Sequence, residues 1–262
     1  MQDPILVEHD GPVATVTFNR PESRNAISYE MWQMLMDIAR ELDADDSVRC
    51  VVFRGAGDEA FSAGADIRDF ENHRRDSATA ARYAEVFEGA LEAIEQMSKP
   101  TISMIRGFCV GGGLELAAAT DIRIAAEGSR FGVPVSRIAI VAGYNELRRM
   151  IAVAGSAAVS FLVLSGRIIG HEDALRMGLL TQVTPPDQLE AEVSSLADDI
   201  VRGAPISHAD HKAMIRRVLG DPGLATLTGE ERSLQFRVFD TDDFQEGRAA
   251  FLEKRRPEFK GR

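Results

Sequence analysis

Cysteine is scarce in this 262-residue sequence, which contains only Cys50 and Cys109. Both lie in apolar surroundings typical of strands, so buried free thiols are expected. Free thiols favour a reducing compartment, and we predict a cytoplasmic location. No spacing of cysteine and histidine resembles a metal site, and no metal is predicted.

Positive charge is also in short supply, because 30 Lys and Arg residues against 41 Asp and Glu residues give a net charge of −11. This balance argues against nonspecific binding of nucleic acid. A small anionic ligand remains possible, since a local cluster of Arg and Lys can hold phosphates. The sequence shows no apolar run of the length that a bilayer requires and no signal-peptide pattern in residues 1–10. No membrane association is therefore predicted.

The length is sufficient for one large domain or a domain with an appendage. Strand and helix patterns alternate up to about residue 200, and the pattern is entirely helical afterwards. Polar residues 68–79 have no clear period and are predicted to form a mobile loop. The predicted elements are strands at 12–18, 48–53, 101–105 and 122–125, and helices at 28–42, 80–97, 114–119, 146–153, 157–164, 173–180, 188–202, 207–219, 223–239 and 244–254.

Three consecutive glycines, residues 111–113, stand between the predicted strand at 101–105 and the helix at 114–119. Glycine permits the unusual backbone angles of such a junction and allows a ligand to approach the backbone closely. The first N–H groups of a helix have no partner within it and favour negative charge. Glu115 follows Gly112 by about one helical turn, which places a carboxylate beside these amide groups.

A second junction of the same kind follows the strand at 48–53, in the sequence Phe-Ser-Ala-Gly-Ala-Asp-Ile of residues 61–67. Two such turns could each direct one backbone N–H group to the same oxygen. That arrangement is an oxyanion hole, and it suits a carbonyl that becomes an enolate or a tetrahedral adduct.

These two segments, together with Lys99-Pro100 and Asp-Ile-Arg-Ile-Ala at 121–125, resemble the enoyl-CoA hydratase/isomerase (crotonase) family. The opening Asn-Arg-Pro-Glu-Ser-Arg-Asn-Ala at 19–26 and the final Phe-Leu-Glu-Lys-Arg-Arg-Pro-Glu-Phe at 251–259 also resemble it. The resemblance covers nearly the whole chain. It implies an α/β fold, a crotonase-type spiral of repeated strand–strand–helix units in residues 1–200. Residues 201–262 would form a helical subdomain for assembly into a trimer or hexamer.

The resemblance also implies an acyl-CoA thioester as the substrate, a place in fatty acid metabolism, and no separate cofactor. Its oxyanion hole would consist of the N–H groups of Ala65 and Gly112, with Glu115 as a catalytic carboxylate. Coenzyme A contacts are implied at residues near the two ends of the chain and around the second junction. These are Arg24, Ala26, Ala63, Asp66, Ile67 and Lys254. Asp66 also fits a structural role as a helix cap, and Arg24 and Lys254 also fit ordinary surface charges.

One departure from the family pattern bears directly on the chemistry. The second family glutamate follows proline in a Phe-Gly-x-Pro-Glu segment, and here Val135 follows Pro134. Valine cannot bind or move a proton. Tyr144 and Glu146 occupy nearby positions that the family keeps small, so either could supply the lost function, although Glu146 also fits a cap for its own helix.

Three functions remain open on the sequence alone. The first is an enoyl-CoA hydratase-type lyase that uses Glu115 with help from Tyr144 or Glu146. The second is a decarboxylase of a substrate similar to methylmalonyl-CoA, which needs the oxyanion hole but no strong base. The third is an acyl-CoA-binding protein without catalytic activity.

Overall fold

Strands and helices alternate along most of the computed structural model, which describes residues 3–262. The strands are β1 (Ile5–Asp10), β2 (Val13–Phe18), β3 (Cys50–Gly55), β4 (Ala60–Ser62), β5 (Thr101–Ile105), β6 (Phe108–Val110), β7 (Ile122–Ala126), β8 (Arg130–Gly132), β9 (Ile169–Gly170) and β10 (Gln182–Thr184). The helices are α1 (Tyr29–Ala44), α2 (Phe70–His73), α3 (Ser77–Gln96), α4 (Gly112–Ala119), α5 (Tyr144–Ser165), α6 (His171–Arg176), α7 (Leu189–Val201), α8 (Pro205–Gly220), α9 (Gly229–Arg237) and α10 (Asp242–Glu253).

The strands form two sheets, and the chain visits both sheets in each repeat. The larger sheet has the order β1-β2-β3-β5-β7-β10, and the smaller has the order β4-β6-β8-β9. The units β3-β4-α3, β5-β6-α4 and β7-β8-α5 each add one parallel strand to each sheet and then a helix. This recurrence is the predicted spiral of strand–strand–helix units.

The core lies on both faces of the larger sheet. One cluster of buried side chains packs the sheet against α1, α3 and α4, and it includes Phe18, Trp32 and Leu35. The second cluster packs the opposite face against α7 and includes Ile102 and Val193. Both faces are apolar because a parallel sheet covered by helices on each side exposes neither face to water.

Local sequence explains where the two long helices beside the site begin. The Ser28 side chain accepts a hydrogen bond from the N–H of Met31 and caps α1, as the sequence predicts. Asp76 and Thr79 form a reciprocal capping box that begins α3. The sequence pattern places this helix start at Ala80, three residues late, because it does not take this pair into account.

The structure differs from several predicted elements. Residues 68–79 are not a loop throughout: a 3-10 helix at Ile67–Asp69 leads into α2, and α3 begins before the predicted segment ends. The short α2 was missed because four residues are too few to show a helical period. Strand β1 was not predicted, and it forms the antiparallel edge of the larger sheet. The helix predicted at 223–239 is shorter, since Thr228 caps α9.

The cysteines are buried and free, as expected. Burial raises the pKa of the Cys50 thiol to about 12, and it raises the pKa of Cys109 as well. Neither thiol is therefore a reactive thiolate near neutral pH.

Helix α5 has the length and apolar composition of a membrane-spanning helix, the one such helix in residues 3–262. This finding corrects the expectation that no apolar run is long enough. The sequence predicts two helices in this segment, and the structure confirms them: Gly155 has non-helical backbone angles, with φ of +77° and ψ of 161°, and separates the two helical parts of α5. Its first turns carry Glu146, Arg148 and Arg149, which face the site and α3.

The predicted boundary at residue 200 falls in the last turn of α7, which packs against β3, β5 and β7. Helices α8, α9 and α10 follow it. Phe236, Phe239 and Phe251 are mostly exposed on this helical segment. Its role in assembly stays a prediction.

A charge network joins α5 to α3 beside the site. The guanidinium of Arg149 is 2% exposed and contacts Glu88 at 2.8 Å, Glu92 at 3.1 Å and Glu95 at 2.8 Å. The more exposed Arg148 shares Glu95. Since three carboxylates surround one buried cation, the network fixes the distance between the two helices.

We expect Arg149→Met to destabilise the fold by about 1.5–3 kcal/mol, because it removes hydrogen bonds between charged groups and leaves the partly buried carboxylates of Glu88 and Glu95 without their cation. The matched control Arg148→Met removes a half-exposed pair and should cost about 1 kcal/mol or less. Urea unfolding of both variants at one protein concentration measures the difference. Equal midpoints for the two variants would show that the buried network does not hold the helices.

Candidate active site

Two glycine turns meet at one point of the fold. Gly64 follows β4 with a φ of +93°, and Gly111 follows β6 with a φ of +52°. A Cβ atom added to Gly64 would lie 2.7 Å from the carbonyl oxygen of Val110. The turn that precedes Ala65 therefore contacts the turn that precedes α4 through bare backbone.

This contact places two backbone amide groups side by side. A Cβ atom added to Gly112 would lie only 3.4 Å from the amide nitrogen of Ala65. Neither amide donates a hydrogen bond to an acceptor within residues 3–262. The backbone on both sides of Ala65 is held by a bridge to Ile27, in which the Ile27 N–H donates to Gly64 and the Asp66 N–H donates to Ile27. Two rigid, unpaired donors of this kind suit an oxygen that gains negative charge.

Both amide groups line a cavity of about 330 Å³. Its lining is mainly apolar, with four charged side chains. The lining residues are Ala63, Gly64, Ala65, Ile67, Phe70, Arg74, Tyr83, Phe87, Val110, Gly111, Gly112, Glu115, Pro134, Val135, Arg137, Ile138, Ile140, Val141, Ala142, Glu146 and Ile168. A cavity of this size with a few convergent polar groups has the form of a small-molecule site.

Glu115 lies in the first turn of α4 and is 4% exposed. Its carboxyl group makes no hydrogen bond within the described chain. Burial raises the pKa of Glu115 to about 8, and the charge of Glu146 adds to this rise, while Arg74 opposes it. A carboxyl group that still holds its proton near neutral pH can donate it in a reaction.

Glu146 enters the same cavity from the first turn of α5. Its Oε2 atom accepts a hydrogen bond of 2.6 Å from the N–H of Gly143, so the predicted capping role is present. Burial raises the pKa of Glu146, the Gly143 N–H opposes the rise, and the neighbouring Glu88 adds to it. The Glu146 side chain therefore caps α5 and also shares the cavity with Glu115. A capping role and a role in the site are compatible for this residue.

The structure does not bring Tyr144 to the cavity. Its side chain is 94% exposed and does not appear among the lining residues. Tyr144 is the first residue of α5 and points away from Glu146, although the two are only two positions apart, because residues at that spacing do not share a helix face. Val135 does line the cavity, in a 3-10 helix at Pro134–Ile138.

The residues predicted to contact coenzyme A separate into two groups. Ala63 and Ile67 line the cavity. Asp66 is the cap of the 3-10 helix at Ile67–Asp69. Although its burial acts in the opposite direction, hydrogen bonds from Arg68 and Arg20 lower the pKa of Asp66 to about 2.

The remaining predicted contacts lie outside the cavity lining. The Arg24 guanidinium donates a 2.6 Å hydrogen bond to Glu59 and lies over the ring of Phe108. The carbonyl of Ala26 accepts from Arg20. Lys254 ends α10 with a φ of +54° and is exposed.

The sequence interpretation preferred a solvated loop for His73, Arg74 and Arg75 over contact with a substrate, and the structure places Arg74 in the cavity lining. Its guanidinium lies 4.4 Å from the ring centroid of Tyr83 and 5.0 Å from that of Phe70. The Tyr83 hydroxyl accepts a 2.9 Å hydrogen bond from the indole N–H of Trp32. The sequence signal for this placement was the pair of aromatic residues Phe70 and Tyr83, at the start of α2 and in α3. An arginine guanidinium is attracted to the face of an aromatic ring.

Comparison with known proteins agrees with this architecture. The sequence profile of the enoyl-CoA hydratase/isomerase family matches residues 8–262. A short-chain-enoyl-CoA hydratase from Clostridium acetobutylicum is 31% identical over 259 residues, 98% of each chain. A crotonyl-CoA hydratase from Syntrophomonas wolfei is 31% identical over 260 residues, 97% of each chain.

Among solved structures, an enoyl-CoA hydratase/carnithine racemase from Magnetospirillum magneticum is 40% identical, with a TM-score of 0.96 over 100% of this chain and 97% of that one. DspI from Pseudomonas aeruginosa is 29% identical, with a TM-score of 0.89 over 98% of this chain and 97% of that one. Fold and cavity thus define a crotonase-type α/β enzyme. The chain belongs to the enoyl-CoA hydratase/isomerase family, as its motifs predict.

The raised pKa of Glu115 makes stability depend on pH. Between about pH 4.5, the ordinary glutamate value, and about pH 8, the unfolded chain has lost a proton that the folded chain keeps. The stabilisation is complete below the lower value and is lost as pH rises through the upper one. We therefore expect Glu115→Gln, which cannot ionise, to unfold at a higher temperature than wild type at pH 8, with a smaller difference at pH 5.

Thermal unfolding between pH 5 and pH 9 checks this expectation. Glu85→Gln, at an exposed position of α3, is the matched control and should follow the wild-type curve. Parallel curves for wild type and Glu115→Gln would contradict the raised pKa.

Proposed function

We propose that the protein is an enoyl-CoA hydratase-type lyase that adds water across the double bond of a 2-enoyl thioester. The observation that supports this most strongly is the presence of two buried carboxyl groups, Glu115 and Glu146, in one cavity with the unpaired amides of Ala65 and Gly112. Hydration needs these elements together: donors for the thioester oxygen, a group that accepts a proton and a group that donates one.

The amides of Ala65 and Gly112 would hold the thioester oxygen. When the oxygen atom of water bonds to C3, electron density moves onto the thioester, and the intermediate is an enolate. Two fixed donors stabilise that charge more than they stabilise the ground state, and losing one such donor typically costs about 2.7–4 kcal/mol of barrier. Because the donors belong to the backbone, they do not depend on side-chain identity at these positions.

The two glutamates would move the protons. One carboxylate takes a proton from the attacking water, and the other carboxyl group gives a proton to C2, so the product gains one H and one OH. The pair must hold a single proton at the start of the cycle. Burial is the main cause that raises the pKa of each group, and the charge of Glu146 raises that of Glu115 further, so the cavity favours retention of this proton.

Val135 stands where the family pattern has its second glutamate, and Glu146 is the proposed replacement for that glutamate. It enters from α5 rather than from the 3-10 helix at Pro134–Ile138, and Val135 lines the same cavity. Its second contact does not exclude the role, since only Oε2 accepts from Gly143. A carboxyl group can thus reach the site from a different backbone position.

Decarboxylation is the second candidate function, and the cavity favours it less. A malonyl-type substrate would place its leaving carboxylate next to the thioester, where Glu115 and Glu146 would repel it in their ionised forms. A binding role without turnover does not explain why two carboxyl groups are kept buried at energetic cost. Hydration accounts for both groups.

The contacts to coenzyme A and the assembly state are part of the proposal. Ala63, Asp66 and Ile67 lie next to the oxyanion donors and suit the adjoining part of the coenzyme, which arrives as part of the substrate. The exposed phenylalanines of the C-terminal helices suit burial between subunits of a trimer or hexamer. Lys254, at the end of α10, would then contribute to the site of a neighbouring subunit.

Hydration of crotonyl-CoA, followed by loss of the enoyl-thioester absorbance, tests the proposal. We expect Glu115→Gln and Glu146→Gln each to lower kcat by about 10²–10⁴-fold, the contribution typical of a general acid or base. Glutamine at position 146 keeps the helix cap, because it can still accept from the Gly143 N–H. Full activity of Glu146→Gln would limit that residue to capping, and release of CO₂ from methylmalonyl-CoA without any hydration would favour the decarboxylase.

A carboxylate introduced at Val135 should compensate for loss of Glu146. We expect Val135→Glu in the Glu146→Gln background to hydrate crotonyl-CoA at least about tenfold faster than Glu146→Gln alone. This is part of the roughly 10²–10⁴-fold that a general acid or base typically contributes. Val135→Gln in the same background is the control, since it adds similar volume without a titratable group. No recovery in a folded double variant would show that the two positions do not serve the same water.

A further inference from the structure

Arg74 is a cation of the cavity that forms no ion pair with the residues that the structure describes. The Arg74 side chain is half-buried, lines the cavity, and makes no side-chain hydrogen bond or ion pair within residues 3–262. Its neighbour Arg75 is exposed, pairs with Asp76 at 3.4 Å and lies outside the cavity. Adjacent arginines thus have different environments, and only Arg74 presents its donors to the cavity.

The position of Arg74 is well defined. Its backbone N–H donates to Phe70 and ends α2. His73, the preceding residue, stacks on Tyr29 with ring centroids 4.1 Å apart. The guanidinium lies against the rings of Phe70 and Tyr83. These rings cover the face of the guanidinium and leave the N–H groups at the edge of the guanidinium free. An arginine held in this way is prepared for a planar anion such as a carboxylate.

The surrounding charges are consistent with a ligand that carries a negative group away from the thioester. Arg74 lowers the pKa of Glu115 and of Glu146 by its charge, but it forms no ion pair with either carboxylate. A second cation, Arg137, also lines the cavity and forms no ion pair in the described chain. Arg137 is exposed, whereas the half-buried Arg74 guanidinium would have no anionic partner beside a purely hydrocarbon acyl chain in this mainly apolar cavity.

We propose that Arg74 binds a carboxylate at the far end of the acyl group, so that the preferred substrate is a 2-enoyl thioester of a dicarboxylic acid. Arg137 supplies additional positive charge. This inference rests on the proposed hydratase function and names its substrate class. The other role open to Arg74 is to balance the charges of Glu115 and Glu146, and in that case its loss would affect charged and neutral substrates equally.

Pairs of substrates that have equal chain length but differ in charge separate these two roles of Arg74. Glutaconyl-CoA carries a carboxylate where trans-2-pentenoyl-CoA carries a methyl group, and 2-hexenedioyl-CoA and trans-2-hexenoyl-CoA form a second pair one carbon longer. We expect the wild type to have the higher kcat/KM for the charged member of at least one pair. Arg74→Gln should lower that preference by roughly 10- to 150-fold, the range for loss of a hydrogen bond between charged groups. Arg75→Gln is the matched control and should leave it unchanged.

Binding of unreactive analogues keeps this test independent of hydration. Glutaryl-CoA and pentanoyl-CoA lack the double bond, and calorimetric titration measures their affinities. Tighter binding of glutaryl-CoA that depends on Arg74, in a protein that hydrates no enoyl thioester, would support the carboxylate site and reject the hydratase function. An equal loss of affinity for both analogues, or no loss, in Arg74→Gln would overturn the carboxylate site.

Arg74→Lys covers the case in which the glutamine variant unfolds. Lysine keeps the charge but lacks the planar pair of donors. We expect an intermediate preference for glutaconyl-CoA over trans-2-pentenoyl-CoA. A wild-type preference in a folded Arg74→Lys variant would contradict the paired hydrogen bonds that the proposal assigns to the guanidinium.

Discussion

The site depends on the close contact of two backbone turns. Gly64 and Gly111 both have positive φ, and the space beside each of Gly64 and Gly112 is occupied by backbone of the other turn. Side chains at Gly64 or Gly113 would force β4 and α4 apart, since a Cβ atom at Gly113 would lie 2.6 Å from the Ser62 carbonyl oxygen. The spacing of the Ala65 and Gly112 amides follows from this contact.

The spiral supplies the rest of the geometry. Each repeat adds a strand to both sheets, so the ends of β4 and β6 are neighbours even though some fifty residues separate them in the chain. Helices α3, α4 and α5 then surround the cavity: α3 contributes the rings of Tyr83 and Phe87, α4 contributes Glu115 and α5 contributes Glu146. The network around Arg149 holds α3 to α5. The electrostatic environment of Glu146 is therefore coupled to the packing of two helices.

The charges in this region are arranged in two layers. Behind the cavity, Arg149 compensates the carboxylates of α3 through direct contacts. Within the cavity, Glu115, Glu146 and Arg74 interact without direct ion pairs. Charged side chains with an oppositely charged partner in direct contact stabilise the fold. Charged side chains without such a contact retain the capacity to exchange a proton or to bind a ligand.

By itself, the sequence determined the family, the order of the repeats, both glycine turns and the position of Glu115 beside the second turn, because these features depend on local backbone chemistry and short motifs. It also showed valine at position 135, where the family resemblance leads one to expect a glutamate. It did not distinguish Tyr144 from Glu146 or separate Arg74 from Arg75. Only the tertiary structure decided those questions, because residues one or two positions apart point in different directions, and the direction that leads into the cavity is set by packing against distant parts of the chain.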